Sequence, residues 1–469
     1  MAKTTLGLIV GSRQFFPAAL CRSGRETMLR VIEEEGMQAF SLGETDTRYG
    51  AVSTLEDAIK CGEMLKSHAG EIDGIVVTLP NFGDERAVAN ALRFAGLDVP
   101  VLIHAYPDEV RRMSQDVRRD SFCGKVSVCN NLRQYGIPFS LPRLHTEDPT
   151  CPGFRADLRR FAATCRVVKG LRGARVGCLG ARPAAFNTVR YSEKILEHAG
   201  ISVETLDLSE AVGRANALPA DDPAIAAKLA KIQGYAKTSN VPETSLDRMA
   251  RFGVVMDRWI AANRLDATAL QCWTAIEEFF GIIPCTLMSM LSDSLMPSAC
   301  ETDVVGALSM HALALATGQP GALVDWDNNY EDDPDKAVIF HCSNLPAQVF
   351  TDIPVMAYNP GLANDFGEEH AYGILYGRIK ATPFTYCRIS TDDLTGAIRC
   401  YVGEGETTDD PLDTFGGYGV VRIPRFQDLL QHICLNGFEH HVAITQNLVG
   451  PAIYDAFNTY MGWPTYYHK

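Results

Sequence analysis

No apolar stretch in the 469-residue chain approaches the ~18–20 residues needed to span a bilayer, so membrane partners are not expected. The opening MAKTTLGLIVGSRQFF lacks a signal peptide's long apolar region and small-residue cleavage site, and reads as a first strand; the expected location is cytoplasmic. Positive charge is short: 43 Lys+Arg stand against 57 Asp+Glu. The densest basic run, around Arg111–Arg112 and Arg118–Arg119, is interrupted by Asp116 and Asp120, which argues against nucleic acid. No CxxC occurs among the fourteen cysteines, and most sit in apolar runs such as VGCLG and IIPCTLM. Buried reduced thiols are the expectation, rather than disulfides or zinc. No GxGxxG follows the first strand, so a dinucleotide is not implied.

What is present is a βαβα rhythm. LGLIV, IDGIVVTLP and VPVLIHAYP read as buried parallel strands. CRSGRETMLRVIEEEGM, STLEDAIKCGEMLKSHAG (with Ser53 as a cap) and ERAVANALRFAG read as helices. The polar stretch 142–153 reads as a linker or seam. A second series follows: strand ARVGCLG, helix SEKILEHAG, strand ISVETLDL and helices through 223–264. DATALQCW, CTLMSML and GALVDWD read as strands, with helix ETDVVGALSMHALALATG between the last two. From about 345 the alternation in AYGILYGRIKATPFTYCRIS and GAIRCYVGEGETT changes to an antiparallel pattern. The fold expected is α/β: two doubly wound, Rossmann-like domains (1–165 and 166–344), then an antiparallel, β-barrel-like domain (345–469).

Candidate chemistry gathers late in the chain. Glu301 lies between a strand and a helix start, Asp325 at the end of an apolar strand, His341 at another strand end, and His441 beside His440 in GFEHHVAIT. Element ends are where α/β sheets place ligands. Two carboxylates with imidazoles suit a divalent ion, with oxygen favouring Mn²⁺ or Mg²⁺ and imidazole drawing the choice toward Mn²⁺, Co²⁺ or Zn²⁺. Other readings fit the same residues. Glu301 with Ser298 matches a capping box, Asp325 suits the start of a DNN turn, and His341 suits a hydrogen-bonded core position. Adjacent strand residues face opposite ways, so one of His440 and His441 is expected in any one site.

In order, CETDVVGAL, DWDNNY, FHCSN and GFEHHVAIT resemble the L-fucose isomerase/L-arabinose isomerase superfamily, in its L-fucose isomerase-like branch. The resemblance implies a Mn²⁺-dependent aldose–ketose isomerase, with Mg²⁺ or Co²⁺ as other ions. It maps metal ligands onto Glu301, Asp325 and His441, and a further histidine ligand onto His341. Glu301 and Asp325 are then the acid–base candidates on either side of a cis-enediolate. The stretch DSFCGKVSVCNNL also resembles a family segment near the sugar pocket, which makes Lys125 and Asn130 substrate-binding candidates, with Gly124, Ser127 and Asn131 alongside. Trp326, Asn328, Asn329 and His440 flank the acidic and histidine positions, and Arg182 and Asn187 follow a strand; all suit contacts to hydroxyls or an anion. The resemblance further implies a homo-oligomer, a hexamer or another multimer, with interfacial sites. L-Fucose and L-arabinose-like sugars are the first expectation and sulfoquinovose the alternative, for which Lys125, Arg182 and Arg378 are available cations. A non-enzymatic sugar-binding protein is the reading from another class.

Overall fold

Parallel strands of small and β-branched residues build the first sheet in a computed structural model that describes residues 3–469. Strands β1 (Thr5–Gly11), β2 (Gln38–Ser41), β3 (Ala51–Val52), β4 (Gly74–Leu79) and β5 (Val101–Ala105) pair in the order β2-β1-β4-β5, with β3 off β1. Every pair is parallel, as the βαβα rhythm predicts. The helices Ala19–Glu34, Leu55–Ser67 and Glu85–Ala95 connect them. The second begins one residue later than expected: Thr54, not Ser53, is the cap. It forms a reciprocal box with Asp57, whose carboxylate also takes the Ser53 N–H and hydroxyl.

The chain forms two compact units, residues 3–169 with 454–462, and residues 170–453 with 463–469. The late segment 454–462 belongs to the first unit because Tyr460 bonds the Val101 carbonyl (3.0 Å) and Ser140 donates to Asp455 (3.1 Å). The polar stretch 142–153 is not a seam. It is tied down inside the first unit by Arg143 N–H on Asp157 (2.7 Å) and Glu147 N–H on the Ala105 carbonyl (3.2 Å).

The second unit holds two sheets. Strands β6 (Arg175–Leu179), β7 (Ser202–Leu206), β8 (Ala267–Leu270) and β9 (Ser298–Ala299) form a parallel sheet ordered β7-β6-β8-β9. The larger sheet contains β10 (Ala322–Asn329), β11 (Lys336–His341), β12 (Val355–Tyr358), β13 (Tyr372–Arg378), β14 (Pro383–Asp392), β15 (Ala397–Thr408), β16 (Gly417–Arg422), β17 (His441–Thr445) and β18 (Thr465–His468). Its order is β12-β13-β16-β11-β10-β17-β14-β15-β18, with a further pairing of β16 to β15. Where alternation predicts antiparallel pairing throughout, this sheet is mixed: β13 runs parallel to β16, and β18 parallel to β15. GALVDWD is a strand, but it joins this larger sheet, antiparallel to both neighbours.

CTLMSML is a helix, Cys285–Asp293, and not a strand. A short apolar run does not distinguish the two by periodicity, and the following polar Ser292 and Asp293 extend it to helical length. Its Leu287 and Met288 enter the main core of this unit. Among the described residues no helix is long and apolar enough to cross a membrane.

Candidate metal centre

The sharpest local feature of the chain follows β9. Glu301 (φ 58°) and Thr302 (φ 55°) both adopt left-handed backbone conformations, which cost about 1–3 kcal/mol each for non-glycine residues and persist where surrounding contacts impose them. Here Thr302 N–H donates to the Leu270 carbonyl of β8 (3.0 Å) and Asp303 N–H to the Cys300 carbonyl (2.9 Å). Asp303 then caps the helix Val304–Thr317, accepting from Gly306 N–H at 2.8 Å. The Ser298–Glu301 capping box is thus absent. Ser298 instead takes the Thr268 hydroxyl, and Glu301 turns into a buried space.

Sheet register supplies the other groups. On β10, Asp325 stands opposite His441 of β17 and Phe340 of β11, whose next residue is His341. His441 Nε2 lies 3.0 Å from Glu301 Oε2 and 3.3 Å from Asp325 Oδ1. One nitrogen or oxygen from each of Glu301, His341 and His441 falls within 4.8 Å of the others, and so does one from each of Asp325, His440 and His441. His440 precedes the strand rather than belonging to it, so strand alternation does not turn it away; its Nε2 is 3.5 Å from Asp325. Trp273 Nε1–H donates to Glu301 Oε1 (3.1 Å) and fixes that carboxylate's orientation.

The donor set fits a divalent cation. Glu301 Oε2, Asp325 Oδ1 and His341 Nε2 are buried and make no hydrogen bond. Three such atoms cost several kcal/mol unless something else satisfies them. Two carboxylate oxygens and imidazole nitrogen meet the preferences of a Mn²⁺-like ion. A cavity of about 320 Å³ opens onto them, lined by Trp273, Phe340, Cys342 and Asn359 among others.

The two carboxyls differ electrically. Burial pushes Asp325 up, to about 6. Burial also acts to raise Glu301, but the close approach of the His441 imidazole wins and holds it below the usual carboxylate range. Burial and the neighbouring His441 push the His440 imidazole down to about 4, so it is neutral at pH 7.

Behind His441 stands a chain of buried charge that no sequence pattern identified. His441 Nδ1–H donates to Asp303 (2.8 Å), which fixes the tautomer and frees Nε2 for the centre. Arg388 of β14, wholly buried, grips Asp303 with two bonds (2.5 and 2.9 Å) and donates to Glu439 (3.1 Å). Ser390 bonds the other Glu439 oxygen. Burial alone would raise the Asp303 pKa, but Arg388 and His441 hold it far below the carboxylate range. The available signal was Arg388 itself, a charge midway along the apolar run FTYCRIS, since a buried arginine needs a paired acid.

Trp326 faces the opposite side of β10 from Asp325. It packs on Tyr386 and Phe426 and donates to the Tyr401 hydroxyl (3.1 Å). With Asn328 and Asn329 it lines a different cavity of about 340 Å³. Arg182 turns back on the Pro183 carbonyl (2.9 Å), while Phe186 of the same loop packs edge-on against Trp273 and His440. In the first unit Gly124 is required by packing, since a Cβ would fall 1.7 Å from the Phe82 carbonyl oxygen. Lys125 is buried, donates to the His145 carbonyl (2.8 Å) and is pushed down to about 8 by desolvation; Asn130 is exposed.

Comparisons with known proteins agree with the ordered motifs. Residues 7–172 match the fucose/sulfoquinovose isomerase N-terminal domain, and residues 339–469 the L-fucose isomerase C-terminal domain. A sulfoquinovose isomerase from Alkalicoccus urumqiensis is 26% identical over 384 residues, 79% of this chain and 81% of that protein. Sulfoquinovose isomerases from Priestia aryabhattai (25% identical; 58% of this chain, 59% of that one) and Clostridium sp. strain MSTE9 (28%; 44% and 45%) match shorter stretches. Among solved structures, an ABC transporter periplasmic solute binding protein from Actinobacillus succinogenes 130z with bound D-allose aligns at 12% identity. That alignment covers 68% of this chain and 93% of that one, with a TM-score of 0.18, and it carries no weight here. With both terminal domain models matched in order along one chain, the protein belongs to the L-fucose isomerase-like family.

Proposed function

We propose that this protein is a metal-dependent aldose–ketose isomerase, and that its sugar is sulfoquinovose or a close sulfonated relative rather than L-fucose or L-arabinose. The observation that carries the reaction class is the convergence of Glu301, Asp325 and His441 on one buried point with unpartnered donor atoms. The choice of sugar is supported by the relatives, which are sulfoquinovose isomerases.

Glu301, Asp325 and His441 would hold the ion, with His341 as a further ligand and Mn²⁺ as the preferred species. When bound, such an ion supplies Lewis acidity that eases loss of the proton next to a carbonyl. The chain's own residues divide the remaining work. Asp325 takes the proton from C2 of the open-chain aldose and returns it at C1 through a cis-enediol. Glu301, held ionised by His441 and oriented by Trp273, stays negative throughout. Neutral His440 sits within reach of the sugar's hydroxyls as donor or acceptor.

The test is a substrate panel. Protein reconstituted with Mn²⁺ is incubated with sulfoquinovose, L-fucose and L-arabinose, and products are followed by NMR. The expected result is a ketose from sulfoquinovose, with solvent deuterium appearing on carbon in D₂O. No ketose from any aldose would overturn the reaction class. Turnover confined to L-fucose or L-arabinose would overturn the sugar.

A further inference from the structure

Four of the fourteen cysteines, from four separate segments, meet beside the candidate centre. The sulfurs of Cys285, Cys300 and Cys342 lie within 4.8 Å of one another. Cys285 opens the helix Cys285–Asp293, Cys300 follows β9, and Cys342 follows β11. Cys272, just past β8, is buried with its side chain in contact with Cys300. All are free thiols. Glu277 lies within electrostatic reach of Cys272 and Cys342; it is wholly buried, and neither of its carboxylate oxygens finds a partner.

Packing of apolar thiols explains a single buried cysteine, but not why three sulfurs converge while an unpaired carboxyl is buried next to them. Thiolates about 2.3 Å from a tetrahedral ion stand about 3.8 Å apart, so this trio closes by at most about 1 Å on binding. We propose that Cys285, Cys300 and Cys342 form a second, thiolate metal site for a Zn²⁺-class cation, with Cys272 next in reach for the fourth position.

The two sites select different ions. Sulfur ligands favour Zn²⁺, whereas the carboxylate and imidazole set favours harder cations. On binding, the thiols release their protons to solvent, and the ion takes no part in proton transfer. Its position gives it a mechanical role. Cys300 is bonded to Glu301 and Cys342 to His341, so one ion ties the end of β9 to the end of β11, the two segments that carry those ligands.

The test uses cobalt as a spectroscopic substitute. Metal-stripped, fully reduced protein is titrated with CoCl₂ without oxygen. The expected signal is an intense near-ultraviolet sulfur-to-cobalt charge-transfer band that persists in the E301Q/D325N double variant and is lost in C285S/C342S, which leaves two of the four thiols. Elemental analysis after Zn²⁺ loading should show one equivalent fewer in C285S/C342S than in the wild-type protein. A wild-type protein with all thiols reduced, loaded with Co²⁺ and lacking the band overturns the proposal. So does an unchanged zinc equivalent in C285S/C342S. Should C285S/C342S fail to fold, the wild-type and E301Q/D325N spectra decide the matter alone. None of these readouts involves a sugar, so failure here and failure of the isomerase reading are separable.

Discussion

Replacing Asp303 by Asn tests how the centre is built, because it removes one charge while preserving the residue's shape. Each Asp303 oxygen is used twice. One accepts from Gly306 N–H and an Arg388 nitrogen, the other from His441 Nδ1–H and a second Arg388 nitrogen. An asparagine has one acceptor oxygen, so in either orientation its NH₂ faces two donors. Asparagine caps helices about as well as aspartate, so the capping contribution is retained when its oxygen faces Gly306 and its NH₂ faces His441 and Arg388. The loss comes from Arg388, left wholly buried with Glu439 as its remaining ion pair; breaking such pairs costs about 3–5 kcal/mol. His441 also loses the anion that sets its tautomer, and disruptions of this kind weaken metal affinity about 10–100-fold. Both effects are measurable on purified protein, by denaturant unfolding in the presence of chelator and by Mn²⁺ titration calorimetry. Removing the other buried charges too, in D303N/R388M/E439Q, should recover part of the stability but not the affinity. A D303N protein within about 1 kcal/mol of wild type and within about threefold in affinity would refute this account of how His441 is held.

Further outcomes follow from the same structure. E301Q and D325N should each leave the fold intact by circular dichroism while abolishing turnover and weakening Mn²⁺ binding; full activity in both would remove these residues from the mechanism. Burial pushes the Glu277 carboxyl up to about 8, so between its unfolded value near 4.3 and pH 8 the folded chain keeps a proton that the unfolded chain releases. Stability therefore falls as pH rises through that window, by on the order of 5 kcal/mol, and E277Q should flatten this pH dependence; coincident unfolding curves at pH 5 and pH 8 would contradict it. His104 has the opposite sign. Burial, with Lys125 adding to it, pushes its imidazole down to about 3, while its hydrogen bonds to Thr78 (2.9 Å) and the Glu147 carbonyl (2.8 Å) keep it in place. Its contribution is present above about pH 6.5 and is lost as pH falls toward 3, so H104Q should show a shallower acid limb than wild type in pH-dependent unfolding.

Local physical chemistry was enough for β1, β4 and β5 of the first sheet and the helices between them, while the short strands β2 and β3 carry too few residues to show a pattern. Apolar runs ending in proline, joined by capped amphipathic helices, have few alternatives. The positions of Glu301, His341 and His441 at element ends were likewise legible, because they are punctuation in the pattern; Asp325, expected at a strand end, lies inside β10, which runs on to Asn329. CTLMSML was not, since a largely apolar run of this length suits either a strand or a helix until its packing is known. Nor was the exclusion of Trp326, whose distance from the cluster depends on which face of β10 the register turns inward. The pairing of β10 with β17 across more than a hundred residues, the Asp303–Arg388–Glu439 chain and the meeting of Cys285, Cys300 and Cys342 are all tertiary facts. Composition and spacing determine what each segment can become alone. Which distant segments share a buried point is set by strand order and by the cost of leaving a charge or a polar atom there without a partner.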